Sequence, residues 1–239
     1  MEFVRSTFSR WVLALFATVA VMTALSHAAR ADVDDRGLYL GFRLLPAIGG
    51  ADETLIGGQG GGGPFAQRGG DDPGPTFGFG GTLGYHLRPY GLPLRAEVEY
   101  AYRHRLDFDT EERTPTFIGY KNDVSTNSVM FNLYYDLATS TAWRPYVGAG
   151  IGWARNSSDT QRGNLSTGAV ENREEDTDNL AYSFQAGVRV AITRSWVGEI
   201  GYRYIDLGEI DSGTFTTGDR VMGDDYVSHD IVLGLVYFF

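Results

Sequence analysis

Apolar and polar residues alternate along this chain in one segment after another. The first segment carries Leu38, Leu40, Phe42 and Leu44, with Tyr39, Gly41 and Arg43 between them. The second carries Phe77, Phe79, Gly81, Leu83, Tyr85 and Leu87, and the third Leu94, Ala96, Val98, Tyr100 and Tyr102. The fourth has Val129, Phe131, Leu133, Tyr135 and Leu137, and the fifth Trp143, Pro145, Val147, Ala149, Ile151 and Trp153. Leu180, Tyr182, Phe184, Ala186, Val188 and Val190 make the sixth. Trp196, Gly198, Ile200, Tyr202 and Tyr204 make the seventh, and Ile231, Leu233, Leu235, Tyr237 and Phe239 the last. A period of two predicts strands with one apolar face. Most of the eight are close to the roughly 9–11 residues a tilted strand needs to cross a bilayer. Short turns join the second to the third, the fourth to the fifth and the sixth to the seventh: Arg88 to Leu92, Ala138 to Ala142, and Thr193 to Ser195. Long polar connections join the others: Ala47 to Gly74, Asp109 to Asn122, Asn156 to Asp178, and Glu209 to Asp225.

The opposite face of these strands carries the charges. Arg43, Arg95, Glu97, Glu99, Arg103, Asp136, Arg189, Glu199, Arg203 and Asp230 all fall on it. A soluble barrel would turn these outward and pack the large apolar set inside, but an eight-stranded barrel is too narrow for that set. Gly41, Gly78, Gly80, Gly84, Gly148, Gly150, Gly152, Gly187 and Gly234 share the charged face and suit a crowded interior. Aromatic residues gather at both ends of the apolar stripes: Tyr85, Tyr135, Trp143, Trp196, Tyr237 and Phe239 near the short turns, and Phe77, Tyr102, Trp153, Tyr182 and Tyr204 near the long connections. Two aromatic girdles belong to a membrane barrel. The expected fold is all-β, an eight-stranded antiparallel transmembrane β-barrel in an up-and-down meander, with both termini on the short-turn, periplasmic side.

The N-terminus differs from the rest. Arg5 and Arg10 precede an apolar run from Trp11 to Leu25, followed by Ala29-Arg30-Ala31. A basic start, a short apolar core and a small-x-small site predict a cleaved secretory signal over 1–31, leaving 32–239 as the barrel domain. The apolar run is too short to span a bilayer as a helix.

Charge narrows the partners. Asp plus Glu number 30 against 20 Lys plus Arg, for a formal charge of −10. Removing 1–31 takes away two net positive charges and leaves −12, so a basic nucleic-acid surface is not expected. The four long connections carry −3, −1, −4 and −4 in chain order, which equals the whole charge of the mature chain. The absence of Cys removes disulfides, thiolate metal sites and a Cys nucleophile.

Few residues suggest chemistry. Gly148-x-Gly150-x-Gly152 does not complete a dinucleotide loop, and no helix follows it. The Gly57–Gly63 run has no phosphate-loop lysine. His86, His104 and His229 lie on different strands without metal-ligand spacing. Ser228-His229-Asp230 suggests a hydrolase, yet adjacent strand residues face opposite ways. The inward charges read first as a structural salt-bridge core and second as an ion path, since unpaired buried charges cost several kcal/mol each. Glu174-Glu175-Asp176 and Asp224-Asp225 are possible weak Ca²⁺ contacts without EF-hand spacing. No enzyme activity, cofactor or dedicated metal site is expected.

The last strand, Ile231-Val232-Leu233-Gly234-Leu235-Val236-Tyr237-Phe238-Phe239, resembles the C-terminal signal read by the bacterial barrel-assembly machinery. On that resemblance Tyr237 and Phe239 form the assembly signal. Glu199-Ile200-Gly201-Tyr202-Arg203-Tyr204 and Pro145-Tyr146-Val147-Gly148-Ala149-Gly150 resemble the small outer-membrane β-barrel family that includes opacity-type surface proteins. The resemblance implies a surface protein of the bacterial outer membrane, in contact with membrane lipid, lipopolysaccharide and the assembly machinery. It further implies a monomer with a structural or interaction role: envelope integrity, adhesion or host contact through acidic extracellular loops. The alternatives are a small-solute, porin-like channel and a lipid-modifying enzyme of the lipid A deacylase kind. That enzyme family places its Ser two residues after the His, where this chain has Ile231.

Overall fold

A computed structural model describes residues 37–58, 74–112, 118–137, 139, 142–164, 168–216 and 219–239. The segment 1–31 and its cleavage point, Arg68, Asp71, Asp72, the run 59–63 and turn residues 140–141 lie outside them.

Among the described residues there are nine strands: β1 (Gly37–Gly58), β2 (Gly74–His86), β3 (Leu94–Glu112), β4 (Ile118–Asp136), β5 (Trp143–Asn164), β6 (Ala169–Ala191), β7 (Trp196–Asp206), β8 (Ile210–Thr214) and β9 (Asp219–Phe238). All pairings are antiparallel, and β1 pairs with β9, so eight staves close into a barrel. Closure pairs backbone groups that an open sheet edge would leave bare in lipid. The β2–β3 turn is a single 3-10 turn, Arg88–Tyr90, ended by Gly91 at φ 77°, a left-handed conformation that suits glycine.

Burial follows the expected parity. In β2, buried and exposed residues alternate from Pro75 to the end of the strand. The charged set is inside, and Leu40, Phe42, Leu83, Val98, Phe131, Ile151 and Phe184 are exposed. In water each such side chain would forfeit about 1.5–3 kcal/mol of burial. A belt of them around a charged interior inverts a soluble barrel and calls for lipid outside.

The strands run beyond that belt at the long-connection end. The connections expected at Asp109–Asn122 and Asn156–Asp178 are mostly ladder. β3 and β4 pair out to Glu112 and Ile118, and β5 and β6 out to Asn164 and Ala169. The wall there rises by about 30 Å of strand. The alternation of apolar residues stops earlier because an outward face outside the bilayer has no reason to be apolar, while backbone pairing continues. Within the expected Glu209–Asp225 loop lies β8, which pairs with β9 beyond the end of β7.

The lumen is filled in layers. Tyr39, Ala191, Val197, Val236 and Phe238 pack at the short-turn end. Val124, Met130, Ala154, Ala181, Ile205, Leu207, Ile210 and Tyr226 pack at the other. The β7–β8 connection thus folds into the mouth, where Asn156 Nδ2 donates to the carbonyls of Leu207 (2.9 Å) and Glu209 (3.0 Å). Inward tyrosines lie over glycines of the next strand. Tyr39 pairs with Gly84, and Tyr134 with Gly148. A Cβ on either glycine would come within 2.2 Å of the ring.

Candidate functional site

Between the apolar layers the ten inward charges form one connected network. Five are arginines and five are carboxylates, so the network is formally neutral. Arg43 on β1 is its hub. Its Nη2 lies 2.8 Å from Glu97 Oε2 and 3.0 Å from Glu199 Oε2, and its Nη1 contacts Glu99. Glu99 also accepts from Arg203 Nη1 at 2.5 Å. Arg203 reaches Asp230 Oδ2 through Nε (2.9 Å) and Nη2 (2.7 Å), and Arg103 donates to the same oxygen at 2.8 Å. On the short-turn side Arg95 Nη1 donates to Glu97 Oε1 at 2.7 Å, and its Nε to Asp136 Oδ1 at 3.1 Å. Arg189 Nη1 stands 3.6 Å from Asp136 Oδ2.

Tyrosine and histidine side chains complete the packing. The Tyr39 hydroxyl donates to Glu97 Oε1 at 2.7 Å, and His86 Nε2 lies 2.9 Å from Asp136 Oδ2. The Arg95 guanidinium sits 4.3 Å from the Tyr134 ring centre and 4.9 Å from that of Tyr146, a favourable cation–π placement. Every charge is nearly dry and has an opposite charge within reach, and that pairing offsets the cost of removing the ions from water. The three tyrosines were not singled out in the sequence. Their inward parity was the available signal.

Ser228 and His229 face opposite sides. Ser228 is buried and donates to Asp230 Oδ1 at 2.6 Å, while His229 is exposed on the outer surface. The serine, histidine and aspartate therefore do not assemble into a hydrolytic triad. Tyr237 and Phe239 lie on the outer face at the short-turn end, with ring centres 5.4 Å apart.

A second charged surface is the wall beyond the apolar belt. Arg155 and Asp178 pair there (Nε to Oδ1 2.8 Å), and the Ser157 hydroxyl donates to Asp176 at 2.6 Å. The Arg155 bond holds the Asp178 carboxyl below the usual carboxylate range. Glu171 accepts from the backbone N–H of Thr216 (3.0 Å) and from its hydroxyl (2.7 Å), which also lowers its pKa. Arg220 Nε donates to Asp211 at 2.8 Å, clasps β8 to β9, and lowers the Asp211 pKa.

A closed antiparallel barrel, apolar outside and filled with paired charge inside, defines an integral β-barrel of the bacterial outer membrane. Residues 17–239 match the outer membrane protein beta-barrel domain family, and the chain belongs to it. Outer membrane protein PagN of Salmonella typhimurium strain LT2 is 30% identical over 175 residues, covering 69% of this chain and 73% of PagN. A Rickettsia conorii protein named as an adhesin, RC1281, is 29% identical over 125 residues, covering 48% of this chain and 49% of that one. Among solved structures, Neisserial surface protein A has the same fold, with a TM-score of 0.51 and 18% identity over 85% of this chain and 97% of its own.

Proposed function

We propose that the protein is a monomeric surface-interaction barrel that uses the acidic wall beyond its apolar belt to make contacts outside the cell, in adhesion or host contact. The observation carrying this reading is the continuation of β3–β6 as ladder past the membrane belt, with Glu174, Asp176 and Asp178 exposed on it. Such a wall holds its charges in a fixed array at little ordering cost on binding. Long connections lie outside the cell and short turns in the periplasm, which puts this end outward. Its negative charge favours a basic partner or cation-bridged lipopolysaccharide. The adhesin name of RC1281 agrees with this use.

The layered lumen weighs against a solute channel, because two apolar layers and a charge network lie across it. The separation of Ser228 from His229 weighs against lipid hydrolysis by that trio.

Tags test the reading. An epitope inserted at Gly168 should be labelled on intact cells, and one at Arg194 only after the outer membrane is breached. Replacing Glu174, Asp176 and Asp178 by Asn or Gln should then reduce cell binding while heat-modifiable gel migration stays unchanged. Labelling of Arg194 alone on intact cells inverts the topology, and unchanged binding by the triple variant removes the acidic wall from the contact.

A further inference from the structure

The outer face of the barrel is mostly hydrocarbon, and among the polar groups on it one joins a histidine to two tyrosines. On β7 and β9, among Ile200, Leu233 and Leu235, the Tyr202 hydroxyl lies 2.6 Å from His229 Nδ1. The Tyr202 ring stacks on the imidazole with centres 6.0 Å apart, and Tyr204 meets it edge-on at 5.6 Å. One strand over, Tyr182 stands opposite Asp206. Tyr202 and Tyr182 are 48% and 43% exposed, so this polar group opens outward rather than into the lumen. It stands at the long-connection end of the belt, where Tyr204 pairs with His229.

Its chemistry is specific. Tyr202 fixes the imidazole through Nδ1 and leaves Nε2 as the ring's outward polar atom. With a neutral ring the Tyr202 hydroxyl donates to Nδ1, and Nε2–H is the donor presented to the lipid. With a charged ring Nδ1–H donates to the Tyr202 oxygen, and Nε2–H is a charged donor at the open edge of the ring. The hydroxyl and Nε2–H lie at opposite edges of the ring, so the charged Nε2–H alone meets a phosphate oxygen, and such charge-assisted bonds are the strong ones. Tyr204 gives one wall of the seat, and the nearby Asp206 carboxylate accepts from the Gly208 backbone N–H at 2.9 Å.

We propose that His229, oriented by Tyr202 and flanked by Tyr204, forms a seat on the lipid-facing surface for a phosphate of a glycolipid in the outer leaflet. The choice of leaflet rests on the orientation proposed above; the phosphate seat itself does not. Folded full-length protein in detergent micelles is mixed in turn with bisphosphorylated lipid A, dephosphorylated lipid A, phosphatidylglycerol and inorganic phosphate. Bound lipid is read by native mass spectrometry, and the imidazole nitrogens by ¹⁵N spectroscopy. Lipid A should be retained best and should move the His229 Nε2 resonance. His229→Phe should weaken its retention about tenfold or more, the size of one lost charge-assisted bond, and Tyr202→Phe should weaken it as well. His104→Phe, at the other outward histidine, should leave it unchanged. Heat-modifiable migration shows that each variant is folded. Equal retention by His229→Phe, or of dephosphorylated lipid A, overturns the seat. Equal retention of phosphatidylglycerol overturns its assignment to the glycolipid. These measurements need no sidedness, so they fail independently of the tag experiment.

Discussion

Arg43 and Glu199 lie 156 residues apart in sequence and meet inside the barrel, with Arg43 Nε 3.2 Å from Glu199 Oε2. Their strands are not neighbours, because β9 lies between β1 and β7. Of the three carboxylates around Arg43, Glu97 keeps Arg95 and Glu99 keeps Arg203 if the hub is lost. Glu199 keeps Gln185 at 3.4 Å and, for a cation, Arg95 at 4.0 Å. Arg43→Met should therefore cost about 3–5 kcal/mol, the usual penalty for a buried charge left without its partner. Adding Glu199→Gln should recover part of it. Urea unfolding in micelles, followed by tryptophan fluorescence, measures both. A single variant as stable as the parent would show that the hub does not support the fold.

Acid should loosen the β8 clasp before the barrel. The hydrogen bond from Arg220 lowers the Asp211 pKa in the folded protein relative to the unfolded chain. Its stabilisation is therefore complete above about pH 4, the unfolded carboxylate value, and fades as pH falls from there through the lower folded value. Amide exchange at β8 should accelerate over that window, while β4 and β5 within the belt stay protected. Arg220→Gln should give fast β8 exchange at neutral pH.

Removing Phe239 should act on assembly more than on the finished barrel. The side chain is 70% exposed at the end of β9, so its packing contribution is small. We expect less protein in the outer membrane at native expression, more misfolded protein in the periplasm, and heat stability near the parent's for the fraction that inserts. Surface levels equal to the parent's would remove Phe239 from the assembly role.

The layered lumen predicts silence in planar bilayers, with no stepwise current from the parent barrel. Leu207→Ala with Ile210→Ala should remain silent, because Tyr39, Val236 and Phe238 still close the other end. Single-channel recording decides the point, and regular steps from the parent would mean that the lumen opens.

Alternation made the eight staves and the inward charges legible, since Phe42 beside Arg43 or Val98 beside Glu99 can be satisfied together only between lipid and a polar interior. It could not follow β5 past Trp153 or β6 before Leu180, where both faces turn polar and the ladder is held by backbone bonds that leave no mark in side-chain type. β8 was hidden likewise in an acidic loop. The cap was partly visible: Val124, Ile205 and Tyr226 are apolar residues on the polar parity, gathered at one end. The partners of Arg43 were beyond reach, because which inward carboxylate meets which arginine depends on register and closure.

Tyr39 over Gly84 and Tyr134 over Gly148 bear on that register. Sliding one strand past its neighbour by one residue would turn its apolar side chains into the lumen, so the hydrophobic pattern forbids it. A slide by two keeps every residue on its own face, and the hydrophobic pattern is blind to it. The ring and its glycine are not. Two residues along, Tyr39 would meet Thr82 or His86, and Tyr134 would meet Gly150 or Tyr146. Three of those four positions carry side chains where the ring now lies flat. Each tyrosine thus works as a pawl in a notch cut by a single residue, which sets the barrel's stagger and, through it, the alignment of every charge pair inside.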